Sequence, residues 1–148
     1  MFLSERVYSD LVALVVKSVN PSTRVVGVNA ENSPHYYMAM KHGKVVNTEI
    51  KSTLADGMAL NLGALPSYIA DNSVKLIRET IDEVVTVSEE KIKDAIRFLT
   101  LENKLVVEGA GAISLVAALQ TPKEQRGKTV CIISGGSIDS DKLVEILK

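Results

Sequence analysis

The sequence predicts an α/β fold of three layers, with a parallel, doubly wound sheet of about four strands and helices on both faces. Three observations carry this. Short apolar runs recur at Val25–Val28, Val84–Val87, Leu105–Val107 and Val130–Ile133. Helical patterns alternate with them, and a right-handed helical crossover is the usual way to join parallel neighbours. The run VVGV is β-branched and free of charge, as expected of a strand covered on both faces.

Taken in order, apolar residues at Leu11, Val12, Leu14, Val15, Val16 and Val19 recur on helical spacing and continue around the cylinder, which predicts a buried helix. It ends at Asn20-Pro21, because proline biases its neighbour out of helix. After strand Val25–Val28 a helical segment runs from about Ser33 to Lys41, with Gly43 placed to cap it in a left-handed conformation. Gly57, Gly63 and Pro66 break any long period between Gly43 and Ala70, so this stretch reads as loop with short helical pieces. Helix Val74–Ile81 leads into strand Val84–Val87. Ser88 followed by two glutamates opens the next helix, with an N-cap residue and favourable charge near its positive end. That helix carries Ile92, Ala95, Ile96 and Leu99 on one stripe. Leu105–Val107 reads as strand, Ala110–Leu119 as an apolar helix, Val130–Ile133 as strand, and Asp139–Leu147 as a closing helix. The whole, residues 1–148, is expected to be one domain with a single substantial core.

Composition narrows the function classes. The 17 basic and 18 acidic residues nearly cancel, and two Phe, four Tyr and no Trp leave little to stack on bases, so nucleic acid is not an expected partner. No apolar run approaches the roughly 18 residues that span a bilayer, and charges in MFLSERVYSD stand where a signal peptide needs its apolar stretch. No membrane partner is expected, and a cytoplasmic location follows as the expectation. Cys131 lies inside VCII and reads as a small buried hydrophobe.

In open α/β sheets ligands collect beyond the carboxyl ends of the strands. That rule selects the turns NAENSP after Val28, EGAGA after Val107 and SGGSID after Ile133. SGGSID sets the hydroxyl of Ser134 at the end of a strand, with Gly135 and Gly136 letting another group approach the backbone; as a local pattern it equally describes a tight turn. EGAGAIS has two glycines of a dinucleotide fingerprint but Ser114 in place of the third, and no ribose acid follows the next strand, which weighs against a nucleotide site. Glu108 at the end of an apolar strand must be solvated or paired. TLADG, Thr53 to Gly57, suits a helix cap or a loop closing over a ligand. His35 and His42 have no second histidine or cysteine at ligand spacing, so zinc is not supported.

Strand-VNAE, TLADG, DEVVTVSEEKI, KLVVEGAGA and SGGSID, in this order and at these separations, resemble the C-terminal half of the threonine dehydratases, a group with serine dehydratases and serine racemases in the type II pyridoxal-phosphate fold. The resemblance runs over residues 11–148 and leaves 1–10 unmatched. It implies part of that family's large domain, and an activity that converts threonine to 2-oxobutanoate and ammonia, as in isoleucine biosynthesis, with a small amino acid as substrate. It implies that Ser134 faces the pyridine nitrogen of pyridoxal phosphate, with Gly135 beside it, Glu108 near the ring and Gly57, with Asp56, in the loop beside the Schiff base. A serine at the ring nitrogen cannot force full protonation as a carboxylate would, which suits elimination over transamination. Ser137 stands for the family's usual Asn, and Gly109 for its usual Pro.

Further departures shape what is expected. The family's divalent-cation site implies Glu31, a carbonyl near His35 and an aspartate that here is Tyr37, so no metal is expected. The glycine run that wraps the cofactor phosphate falls, by register, on Ser4 to Val7, none of which is glycine. The segment with the family's Schiff-base lysine would lie upstream of Met1, and no lysine present matches it. No catalytic residue is therefore assigned to this chain, which is expected to bind pyridoxal phosphate weakly or not at all and to be inactive alone. Association into a homo-oligomer, or with a complementing N-terminal chain, is expected, with Phe2, Leu3, Val7 and Tyr8 as candidates to pack against the uncovered apolar surface within one chain or across a symmetric pair. The rival reading, of a different class, is a stand-alone small-ligand binding or interaction domain that keeps the fold.

Overall fold

The computed structural model describes residues 1–4 and 9–148, and of residues 3, 4, 9 and 10 the backbone alone. The replaced glycine run from Ser4 to Val7 and the association candidates Leu3, Val7 and Tyr8 thus lie outside the described residues or side chains. Three parallel strands, β1 (Phe2–Ser4), β2 (Val26–Ala30) and β3 (Glu83–Val87), pair in the order β1-β2-β3. Phe2 stands opposite Val26, and Val28 opposite Val85. The helices are α1 (Ser9–Val19), α2 (His35–His42), α3 (Ser67–Thr80), α4 (Glu89–Leu101), α5 (Gly109–Gln120), α6 (Lys123–Arg126) and α7 (Ser140–Leu147). Two 3-10 turns, Asp56–Met58 and Leu62–Ala64, interrupt the long connection between α2 and α3.

Alternation along the strands sorts the core into two halves. Val26, Val28, Ala30 and Val87 face Ile92 and Ile96 of α4, Ile113 and Val116 of α5, and Ile146 of α7. Val25 and Val84 face Ala13 of α1, Tyr36 and Ala39 of α2, and Val74 and Ile77 of α3. Helices therefore cover both faces of an open parallel sheet, the expected three-layer α/β class. Helix α5 lies across all three strands, which is why its sequence GAGAISLVAAL is apolar around most of its circumference.

Local signals act largely as anticipated. Gly43 takes φ 71° and its N–H donates to the Ala39 carbonyl at 2.8 Å, closing α2. Helix α3 begins at Ser67, earlier than the apolar period suggests, because Pro66 at φ −51° suits the position just before a helix. The stripe Ile92, Ala95, Ile96 and Leu99 is buried.

Four expectations are corrected. Helix α1 is not buried: Ala13 is, but Leu11 is 53% and Val15 60% exposed, and Leu14 and Val19 also face outward. Leu105–Val107 forms no ladder with the described residues; the Leu105 N–H turns back to the Leu99 carbonyl at 2.9 Å, and Leu105 and Val106 are exposed while Val107 is buried. Among the described residues Val130–Ile133 joins the sheet through one isolated parallel bridge, Phe2 to Cys131, with the Phe2 N–H on the Val130 carbonyl and the Ile132 N–H on the Phe2 carbonyl. Phe2 is buried in the core, which is packing within one chain, one of the two arrangements expected of it. Cys131, expected to be buried, is half-buried, and burial pushes its thiol pKa up, away from reactivity.

Candidate functional site

The turns that follow the strands are gathered by backbone contacts. After β2, the Ser33 N–H closes on the Ala30 carbonyl, and Asn32 holds the incoming arm at two points: its carbonyl accepts from the Lys51 N–H at 2.9 Å and its Nδ2 donates to the Ser52 carbonyl at 2.6 Å. The same arm reaches the start of α4, where the Leu54 N–H donates to Glu89 Oε2 at 2.7 Å. Ser88 takes the N-cap position but makes no capping bond through its side chain. Glu89 therefore spends its charge on the arm, at the positive end of its own helix, where a carboxylate is favoured. The Thr53–Gly57 loop then passes over the start of α5. A Cβ on Gly109 would stand 2.1 Å from the Leu54 carbonyl oxygen, so the loop and the helix meet without room for a side chain. Asp56 and Gly57 are exposed at this loop, and Asp56 pairs with Lys142 of α7 at 3.2 Å.

On the other flank of the α5 N-terminus lies SGGSID. Glu108 is buried, and its Oε2 accepts from the Ser137 N–H at 3.1 Å. Gly135 has φ +81°, and a Cβ there would lie 2.7 Å from the Glu108 carboxyl. A Cβ on Gly111 would lie 2.3 Å from the Ser134 carbonyl oxygen, and one on Gly136 would lie 2.7 Å from the Val106 oxygen. Ser134 is half-buried. The turns EGAGA and SGGSID are thus in contact, and TLADG touches the first of them through Leu54. Ser114, which replaces the third fingerprint glycine, is buried and donates to the Ile132 carbonyl at 2.8 Å, tying α5 to the run before Ser134.

Glu31 is exposed, and its N–H donates to the Val87 carbonyl at 2.9 Å. His35 is buried with Nδ1 3.1 Å from the Ser33 carbonyl, and burial lowers its pKa to about 4 although that hydrogen bond opposes the shift. The Tyr37 N–H, with that of Tyr36, donates to Asn29 Oδ1 at 2.9 and 3.0 Å. Asn29 was not singled out by the sequence: it sits in a buried strand and caps α2 from the sheet. A polar amide inside the apolar run VVGVNA was the available signal, since such a group must find partners. Ser33 was also missed; its hydroxyl donates to the Met58 carbonyl at 3.1 Å and links the β2 turn to the first 3-10 turn.

With this geometry the relatives can be weighed. The pattern of pyridoxal-phosphate dependent enzymes matches residues 12–136. An L-threonine ammonia-lyase of Thermotoga maritima is 38% identical over 136 residues, which make up 92% of this chain and 32% of that protein. The catabolic L-threonine dehydratase of Escherichia coli is 36% identical over 91% of this chain and 40% of its own length. A solved T.th. threonine deaminase superposes with a TM-score of 0.77 at 30% identity, covering 88% of this chain and 42% of that one. The chain thus spans about a third to two fifths of the relatives it matches. Among the described residues no helix is long and apolar enough to cross a membrane. The match over most of the chain, the parallel three-layer fold and the joined turns agree: the chain belongs to the family of pyridoxal-phosphate-dependent enzymes.

Proposed function

We propose that this chain supplies one wall of a pyridoxal-phosphate site in a threonine ammonia-lyase, the wall facing the ring nitrogen, and that it does not deaminate threonine or serine alone. The observation that carries this reading is the contact between the Glu108–Gly111 and Ser134–Ser137 turns. Gly135 and Gly136 leave the backbone bare beside the Ser134 hydroxyl, which fits a flat ring approaching that turn, with Gly57 at the neighbouring loop. Pyridoxal phosphate, when bound, supplies an electron sink for bonds at the α-carbon of an amino acid. Ser134 would meet the ring nitrogen as a neutral hydrogen-bonding partner, and Glu108 and Gly135 would shape the turn that presents it. The lysine that carries the cofactor and the glycine nest for its phosphate would come from a complementing chain or from further sequence; Lys142, at the edge of this region, is engaged by Asp56. A cytoplasmic setting and a homo-oligomeric or complemented state go with this proposal.

A second reading, an interaction domain that keeps the fold, is favoured by the apolar residues that α1 turns outward. Ammonia release separates the two. The purified chain with threonine and pyridoxal phosphate should release none, and activity in protein free of host dehydratase would overturn the proposal. Adding a chain that bears the cofactor lysine and glycine run should give ammonia, dependent on Ser134. No ammonia from that mixture, with both parts folded, would favour the interaction domain.

A further inference from the structure

We infer that Glu108 is a positioning residue: its carboxylate fixes the Gly135–Ser137 turn and so sets the direction in which Ser134 presents its hydroxyl. The ordinary role of a polar residue just before a helix is to cap it. Glu108 occupies that place before α5, with extended backbone angles, yet its side chain makes no capping bond. It crosses instead to the opposite turn, where Oε2 accepts the Ser137 N–H at 3.1 Å. A carboxylate at 5% exposure carries a desolvation cost that must be offset by bonds to its charged form, and a charge-assisted bond from a backbone N–H is about twice as strong as a neutral one.

The turn needs such an anchor. The preceding run pairs with β1 at Ile132, whose N–H meets the Phe2 carbonyl at 3.2 Å. Two consecutive glycines then follow, the residues with the most backbone freedom to lose. The backbone bond from the Glu108 N–H to the Gly135 carbonyl is long, at 3.4 Å. Gly111 blocks the turn from beneath, where the Ser134 and Gly135 oxygens would lie 2.3 and 2.7 Å from a Cβ. The Glu108 carboxyl flanks Gly135 at the side, at 2.7 Å from the Cβ position. With a floor at Gly111 and a wall at Glu108, the segment that begins at Ser134 has close contacts on two sides. The consequence for a cofactor ring rests on the function proposed above; the fixing of the turn does not.

The test is made on the whole chain by amide hydrogen exchange and NMR, without ligand. Glu108→Ala should speed exchange of the Ser137 amide by roughly tenfold or more, the factor that a lost hydrogen bond to a charged group corresponds to, and should move the Ser134 and Gly135 amide signals. Glu108→Gln keeps an acceptor of the same length and should retain most of the Ser137 protection. Unchanged Ser137 exchange in folded Glu108→Ala would overturn the inference. Should that variant fail to fold, Glu108→Asp decides: with the carboxylate drawn back by one methylene the Ser137 amide should exchange faster, and unchanged exchange there would equally overturn it. Absence of ammonia from the complemented mixture with Ser134 intact would sink the proposed function and leave these measurements standing.

Discussion

Gly111→Ala sets two effects of opposite sign against each other. In a helix interior alanine is favoured over glycine by about 1 kcal/mol, so helix propensity alone makes the variant more stable. Packing makes it less stable. The new Cβ would stand 2.3 Å from the Ser134 carbonyl oxygen and 2.7 Å from that of Gly135. Ordinary contact begins near ~3.5 Å, so one side must retreat by about 1 Å, and neither neighbour is a side chain that can rotate away. Overpacking of this kind costs typically 1–3 kcal/mol, and the SGGSID turn would also be pushed from the carboxylate of Glu108. A contact this short takes the upper part of that range, about 2–3 kcal/mol, so the net expectation is a loss of about 1–2 kcal/mol, or a melting temperature lower by about 2–8 °C at the 2–4 °C per kcal/mol usual for chains of this size. Thermal unfolding followed by circular dichroism measures it. A melting temperature equal to or above that of the unmodified chain would refute the close approach of α5 to the Ser134 turn.

Three further outcomes can be checked. His35 has its pKa lowered to about 4 by burial, so the unfolded chain binds the extra proton between there and the ordinary value near 6.5. Stability should fall as pH drops through that window, by at most ~1.4 kcal/mol per pH unit, and a urea series of His35→Gln that keeps the same slope would contradict this. Asp82 accepts from Lys17 Nζ at 2.9 and 2.7 Å and from the Val25 N–H at 2.7 Å, and although burial alone would raise its pKa, these bonds and charges hold it below the usual carboxylate value. Its contribution is present above about pH 4 and lost as acid protonates it, so Asp82→Asn should cost about 1 kcal/mol at pH 7 and little at pH 2; an equal cost at both would count against it. The outward residues of α1 should drive association, each 100 Å² of apolar surface being worth roughly 2.5 kcal/mol on burial: light scattering should detect a concentration-dependent oligomer that Val15→Asp weakens, and a monodisperse monomer at high concentration would end the idea.

What could be read from the sequence was whatever local chemistry decides. The Gly43 cap, the α4 stripe and the halt of α1 at Asn20-Pro21 follow from residues adjacent in the chain. The alternation of apolar runs and helices was enough for the α/β class. Errors arose where a pattern needed a partner that sequence does not reveal. Helix α1 has the composition of a buried helix, yet composition records what the side chains would gain from burial, not what packs on them. Leu105–Val107 has strand-like residues, but a strand exists only with a neighbour, and the backbone of Leu105 bonds to the end of α4 instead. Likewise β1 is three residues long, too short to announce itself, and forms because β2 and Cys131 flank it. At the candidate site the small residues were visible, while their contacts, Gly109 with Leu54 and Gly111 with Ser134, join segments far apart in the chain.

Those contacts explain how a site region can be held where regular pairing is thin. Among the described residues Leu105–Val107 belongs to no ladder and the run before Ser134 bridges β1 at Cys131, yet the turns that follow them are fixed to each other. The fixing uses two devices. Glycines at 109, 111 and 136 let backbone meet backbone, and glutamates at 89 and 108 accept the N–H of a remote loop, Leu54 in one case and Ser137 in the other. Both glutamates stand at the start of a helix, where the partial positive charge of its free N–H groups favours an anion, and neither helix is closed by a side-chain cap. Each charge is thus stabilised by one element while it restrains another. The two restraints sit on different helices and hold different loops, and the contact of Leu54 with Gly109 involves neither carboxylate, so Glu89→Ala should loosen the amide of Leu54 far more than that of Ser137, and Glu108→Ala the reverse. Equal loosening of both amides by either substitution would mean that the loops move as one body, and the independence argued from their separate anchors would be lost.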